Sequence, residues 1–224
     1  MKIFDIKYYK LTNKSPRKNI YKKRSIKNKL IAWEHGKEHY DGKRINGYGG
    51  YKYDGRWKLL LPRIIKRYNL NKKSRVLDLG CKKGFFIRDL KKAIKGIKVY
   101  GIEDHPYPIS KSHKSIKRFI KISPYTKIPF KTNYFDFVFS LSTIYKLNLG
   151  DVVKCLREIN RVKKNKSGSF VSLGSFNNNS EKEIFKSWTC TGTTVLSKKD
   201  WKIVLKYSKY NGDYFLTTPK ILNL

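Results

Sequence analysis

The stretch from Arg75 to Glu103 constrains this chain more than any other. A short apolar run (Val76, Leu77, Leu79) leads into a turn punctuated by Gly80 and Gly84. Phe86, Ile87, Leu90 and Ile94 then recur at helical spacing, and Lys98 to Ile102 forms a second apolar run that ends on Glu103 and Asp104. The periodicity passes from strand to helix to strand, which is a βαβ unit of about thirty residues. A helix N-terminus leaves backbone N–H groups unpaired, and a glycine-bearing turn admits a ligand close to the backbone. An acid at the tip of the next strand accepts hydrogen bonds from both hydroxyls of a ribose. The expected ligand therefore contains a nucleoside. The turn reads Asp78-Leu79-Gly80-Cys81-Lys82-Lys83-Gly84, which does not match the dinucleotide fingerprint G-x-G-x-x-G.

The pattern continues downstream. Arg118 to Ile122 predicts a third strand, and Phe135 to Leu141 a fourth whose unbroken apolar run suits burial on both faces. Val152, Val153, Leu156, Ile159 and Val162 make Asp151 to Val162 an amphipathic helix. Phe170 to Phe176 is the fifth strand, helices follow over Glu181 to Trp188 and Asp200 to Tyr207, and Asp213 to Thr217 is a final strand. No seventh strand is visible, and Thr189 to Thr194 has no periodicity. Alternating strands and helices predict an α/β fold: a Rossmann-like, mostly parallel twisted sheet with helices on both faces. Such sheets bind ligands at strand carboxyl ends. Ser140, Leu141 and Ser142 are therefore expected at the crevice, with Tyr145 in the loop beyond.

Four segments carry a family resemblance. Val76-Leu77-Asp78-Leu79-Gly80-Cys81 through Gly84 resembles the first motif of class I S-adenosylmethionine-dependent methyltransferases of the type 11 kind. Val99 to Glu103 resembles the second motif. Ile128-Pro129-Phe130 with Tyr134-Phe135-Asp136-Phe137-Val138 resembles the segment leading into the fourth strand, and Arg157 to Val162 with Gly168 to Leu173 the one before the fifth. The resemblance implies S-adenosylmethionine as cofactor. Asp78 would anchor its methionine end, the backbone of Gly80, Cys81 and Gly84 would pass beneath it, and Glu103 would hold the ribose. Asp104, Ser140 and Leu141 would complete that half of the site. Three departures stand out. Lys82 occupies the place of the motif's middle glycine, Lys164 to Ser167 replaces a proline turn, and Ser123-Pro124-Tyr125 lacks the acid that receives the adenine amino group.

Ahead of this region, Leu30 to Trp57 crowds glycines and aromatics together, which argues against regular structure beyond Trp33. Its "DGxRxxGYGGYxYDGRW" core resembles a signature preceding the cofactor domain in a subgroup of bacterial methyltransferases. Tyr48, Gly49, Gly50, Tyr51, Asp54 and Arg56 are the candidates for a cap over the cofactor and part of the acceptor pocket, Arg56 through a planar fork that suits either the methionine carboxylate or an anionic acceptor. Residues 1–57 are expected to form a basic, aromatic and glycine-rich extension with this cap loop, and 58–224 the methyltransferase domain. Trp57 to Asn69 predicts the helix entering the first strand, with Pro62 near its start. Lys14 to Lys29 reads as a solvated basic arm or irregular helix, and a short strand is expected near Ile3.

Composition bounds the function. The 224 residues suit one domain with a sizeable core. Lys and Arg number 52 against 16 acids, a net charge of +36, which fits a polyanion such as RNA. Codon bias is the competing explanation, since Lys far outnumbers Arg, whose bidentate fork dedicated phosphate readers favour. The 3 cysteines and 4 histidines lack disulfide or metal-ligand spacing. Neither a signal peptide nor a membrane-length apolar run is visible, so cytoplasm is the expected compartment. The leading expectation is methyl transfer to a small-molecule or glycan acceptor by in-line displacement. RNA methylation and a catalytically degenerate scaffold are the alternatives. For a base, Tyr145 and His105 are the nominees.

Overall fold

The computed structural model describes residues 1–12, 20–164 and 168–224. Residues 14–19 of the expected basic arm and 165–167 of the Lys164 to Ser167 turn lie outside the described residues; the rest of the arm forms the Ile20–Lys23 helix and the start of the Ile26–Trp33 helix. Its centre is a seven-stranded sheet made of β1 (Arg75–Leu79), β2 (Lys98–Glu103), β3 (Ile120–Ile122), β4 (Phe137–Leu141), β5 (Ser169–Phe176), β6 (Leu196–Ser197) and β7 (Asp213–Thr217). The order is β3-β2-β1-β4-β5-β6, with β7 also pairing with β5, and every ladder is parallel. The expected sheet of six strands is corrected to seven. β6 escapes sequence reading because two residues carry no period.

Chain order reverses between β1 and β4, where Val76, Leu77 and Asp78 pair with Phe137, Val138 and Phe139. A crevice opens outside the strand ends at such a switch point. Strand alternation sorts two cores onto the two sheet faces. Leu77, Leu79, Val138 and Val171 point toward the Leu149–Val162 helix, with Trp201 and Leu205. Val76, Phe137, Phe139 and Phe170 point toward Trp57, Leu60, Leu61 and Ile64 of the Arg56–Tyr68 helix and toward Phe86, Ile87 and Leu90 of the Phe85–Ala93 helix. Phe86 stacks on Phe139 with centroids 4.4 Å apart, and Phe139 on Phe170 at 5.5 Å. Pro62, expected near the start of its helix, is the seventh residue of it. It is exposed, so the carbonyl its ring leaves unpaired faces water.

The N-terminal residues are woven into this frame. Ile3 bridges Tyr214 in parallel, Ile6 is buried in the second core, and Tyr8 packs on Trp57. The Ile26–Trp33 helix starts from a Ser25 cap whose partner is Asn28. Residues 34–55 contain only a four-residue helix, Lys37–Tyr40, and one 3-10 turn, Arg44–Asn46. Among the described residues no helix is long and apolar enough to cross a membrane.

Candidate functional site

A cavity of about 380 Å³ opens at the carboxyl ends of β1 and β4, beneath the 44–56 segment and beside residues 188–191. β1 delivers Asp78 to it. This carboxylate is 4% exposed, borders the cavity and makes no hydrogen bond to a described residue. Burial pushes it up to about 7, against the pull of the Lys82 ammonium.

The turn after β1 is set by backbone geometry. Gly80 has φ +80 and a Cβ there would stand 2.1 Å from the Thr143 hydroxyl, so only glycine fits. The Gly80 and Cys81 N–H groups both donate to the Ile102 carbonyl. Lys82 is also left-handed, φ +55, a conformation unfavourable to a side chain. Its stem is buried and its ammonium donates to the carbonyls of Gly80 and Leu141 at 3.3 and 3.4 Å. Burial works against that charge, but Tyr48, Glu103 and Asp78 outweigh it and raise the Lys82 pKa. Gly84, at φ +71, starts the Phe85–Ala93 helix away from the cavity lining.

Glu103, 2% exposed at the tip of β2, is engaged on both oxygens. One accepts the Lys82 N–H at 2.6 Å, the other the Tyr125 hydroxyl at 2.8 Å. Burial and its hydrogen bond with Asp104 push Glu103 up to about 7. Asp104 goes the other way: burial raises it, yet hydrogen bonding to His35 and Glu103 leaves it below the usual carboxylate range. Neither acid borders the cavity directly.

Of the sequence candidates, Tyr48, Gly49, Gly50, Tyr51, Arg56, Asp78, Gly80, Cys81, Leu141 and Tyr145 come together on the cavity. Gly84, Glu103, Asp104, Ser140, Asp54 and His105 do not line it. Ser140 is buried and laces β4 to β1 by donating to the Leu79 carbonyl at 3.0 Å. Asp54 grips the Arg56 Nε at 2.7 and 2.9 Å, so that fork is already occupied. His105 caps the Pro106–Ser110 helix by accepting the Tyr107 N–H. Tyr145 is buried, and burial raises its pKa, so the phenol stays protonated.

Several residues on or behind the cavity lining carry no sequence signal. Tyr40, 1% exposed, does not line the cavity but holds the overlying segment through stacking on Tyr48 and Tyr107. Asp41 latches that segment to the glycine turn, accepting from the Lys83 ammonium at 2.6 Å and the Tyr107 hydroxyl at 2.9 Å. His39, Arg24, Arg44 and Lys146 complete the lining. A mark at each would have been invisible in a chain this rich in basic and aromatic residues. Among the described residues no group of three His, Cys, Asp or Glu gathers as a metal site.

The donor set fits a nucleoside cofactor with a cationic end: a partnerless carboxylate on the cavity, a close-approach glycine turn beside it, and a second acid one strand away. Comparison with known proteins agrees. Residues 77–171, under half of the chain, match the family described as a methyltransferase domain. No curated protein matches the chain. Among solved structures, a chain of the complex between the Haloferax volcanii Trm112 methyltransferase activator and its candidate methyltransferase is 19% identical, with a TM-score of 0.53, over 69% of this chain and 72% of that one. The YcgJ protein of Bacillus subtilis is 16% identical with a TM-score of 0.52, over 66% of each chain. The [4+2]-cyclase SpnF is 17% identical with a TM-score of 0.51, over 70% of this chain and 60% of its own. At such identities the likeness is one of fold, and the cyclase illustrates that a fold alone does not fix a reaction. The family match over β1 to β5, on this sheet, supports an S-adenosylmethionine-dependent methyltransferase whose methyltransferase domain includes residues 77–171.

Proposed function

We propose that the protein moves a methyl group from S-adenosylmethionine to a small-molecule or glycan acceptor, in the cavity between the strand tips and the N-terminal segment. Asp78 is the observation that supports this most: a buried, partnerless carboxylate at the switch point. Such burial is costly unless a ligand brings a compensating group, and a cationic amine is the partner a carboxylate takes best. Asp78 therefore holds the methionine end and the Gly80–Lys82 backbone runs beneath the cofactor. Glu103 holds the ribose as the acid at the tip of β2, its oxygens already hydrogen-bonded to the Lys82 N–H, the Tyr125 hydroxyl and Asp104.

When bound, the cofactor supplies a methyl group already activated by the positive sulfonium. The chain's task is to place the acceptor in line with it, and that placement lowers the barrier by pre-paying orientation. Tyr48, Tyr51 and Tyr145 line the acceptor side. A base is needed only where the acceptor must lose a proton. Tyr145, held protonated, donates a hydrogen bond there; His105, off the cavity and already hydrogen-bonded, takes no part.

Calorimetry with S-adenosylmethionine tests cofactor binding, and incubation with labelled donor and fractionated cell extract tests transfer. Heat on binding and label in a low-mass fraction are expected. Label in RNA would redirect the reading to RNA methylation. No heat would leave the interaction scaffold.

A further inference from the structure

A second part of the cavity lining is built from three separate segments and is cationic. Arg24, Arg44 and Lys146 line it around Cys190. Arg24 donates to the carbonyls of Ile45, Trp188 and Arg44, and Arg44 to that of Gly47. These carbonyls fix the guanidinium planes but neutralise no charge. Lys146, half-buried, makes no hydrogen bond or ion pair with a described residue. None of the three forms an ion pair with a carboxylate among the described residues, although Lys146 acts at longer range on Glu103 and Asp104 and lowers both; residues 13–19 and 165–167 contain no acid. Burial, and then repulsion from Arg44, lower the Arg24 pKa despite the opposing influence of Cys190.

His39 reports the same field. It is 4% exposed, its Nδ1 lies 3.3 Å from the Asn46 carbonyl and its buried Nε2 has no partner. Burial, then Lys146 and His35, then Lys82, push its pKa down to about 3. The ring is thus a neutral hydrogen-bonding group beside cations.

Half-buried cations without a carboxylate in contact are costly, and an anion that completes them recovers that cost. Guanidiniums present planar forks matched to carboxylate and phosphate oxygens. We propose that this wall recognises an anionic group, a carboxylate or a phosphate, on the methyl acceptor, so that the acceptor is a small anionic molecule. The assignment of that anion to the acceptor rests on the methyl-transfer reading; the anion site itself does not.

Lys146 is the residue to test, because it braces no backbone. Inorganic phosphate and benzoate are titrated separately, at low ionic strength and with S-adenosylhomocysteine present, into wild type, Lys146→Met and Lys146→Gln. One anion is expected to bind wild type at one site and about tenfold more weakly in both variants, with the preferred anion naming the acceptor's group. The loss in S-adenosylmethionine affinity should be much smaller than the loss in anion affinity. The proposal is overturned if neither anion binds wild type, if the variants bind as wild type does, or if a short RNA binds at this wall and phosphate does not compete with it. Anion binding that persists where S-adenosylmethionine gives no heat would sink the methyl-transfer reading and leave the anion site standing.

Discussion

The two walls of one cavity are opposites in charge and in construction. The strand-tip wall presents Asp78, backed by Glu103, and both acids are pushed up to about 7 chiefly by burial. The second wall presents Arg24, Arg44 and Lys146 with a neutral His39. Backbone ladders of neighbouring parallel strands fix the acids, so their positions follow from the sheet. The cations arrive as side chains, Lys146 from more than a hundred residues beyond Arg24 and Arg44, and carbonyl contacts hold the arginines. A polarised cavity of this kind orients a ligand that is cationic at one end beside one that is anionic. What joins the walls is aromatic packing by the 36–51 segment.

Tyr40 is the keystone of that packing, so its removal should break the comparison most severely. It is fully buried and stacks on Tyr48 and Tyr107. Tyr40→Ala should cost about 3–5 kcal/mol in denaturant titration, as large aromatic truncations do. Amide protection should fall in the 36–51 segment while β1, β4 and β5 remain protected. A cost below about 1 kcal/mol would mean that the cationic wall does not depend on this segment.

The acidic wall predicts an unusual pH dependence. Asp78 and Glu103 each titrate near 7 when folded, against ordinary values of 3.8 and 4.5. Because the folded values are raised, the stability these groups contribute is fully present below about pH 4 and is lost as pH rises through about 7. Melting temperature without ligand should therefore fall between pH 5 and pH 8, by an amount worth on the order of a few kcal/mol. Asp78→Asn, which has no charge to desolvate, should flatten much of that fall and be more stable than wild type at pH 8. Parallel pH curves for the two proteins would show that the buried carboxylate does not ionise in this window.

The same substitution should act oppositely on the ligand. Asp78→Asn removes a charge-assisted partner for a cationic amine, a loss of about 1.5–3 kcal/mol or roughly ten- to a hundredfold in S-adenosylmethionine affinity by calorimetry. In wild type the affinity should rise from pH 6 to pH 8 as the carboxylate ionises. Unchanged affinity in the variant would move the methionine end away from β1. Stabilised without ligand and weakened toward it, the variant would mark Asp78 as held for binding rather than for folding.

The two walls also differ in how far they can be read from the chain. β1, β2, β4 and β5 announce themselves as apolar runs bounded by glycines or acids, and the order of motifs along Val76 to Leu173 carries the sheet. The expectation of helices on both faces rests on the same periodicity. β6 is too short to have a period, and the depth of Pro62 in its helix depends on an N-terminus set by Gly55 rather than by a side-chain cap. Arg24 and Lys146 look like any of 52 basic residues. Only long-range folding distinguishes them, because their signal is the lack of an ion pair where they line the cavity. Arg56, by contrast, is visible in a motif and spends its fork on Asp54.

Lys82 is where the walls meet, and its replacement should have the smallest effect on stability and the sharpest on electrostatics. Its left-handed φ of +55 is where the resembled motif has glycine. Lys82→Gly should relieve about 1 kcal/mol of backbone strain and lose about 0.5–1 kcal/mol to unfolded-chain entropy. The two ammonium contacts, at 3.3 and 3.4 Å, are long for N–H donors and contribute little more. Melting temperature at pH 5 should accordingly change little. The pH curve should move, however, because the Lys82 ammonium pulls down both Asp78 and Glu103. Without it their pKa values rise further, so the total fall in stability grows and its upper end extends to higher pH by up to about one unit. A curve that stays in place, or moves to lower pH, would mean that this ammonium exerts no field on the acids, and the opposed charges of the two walls would then be independent of each other.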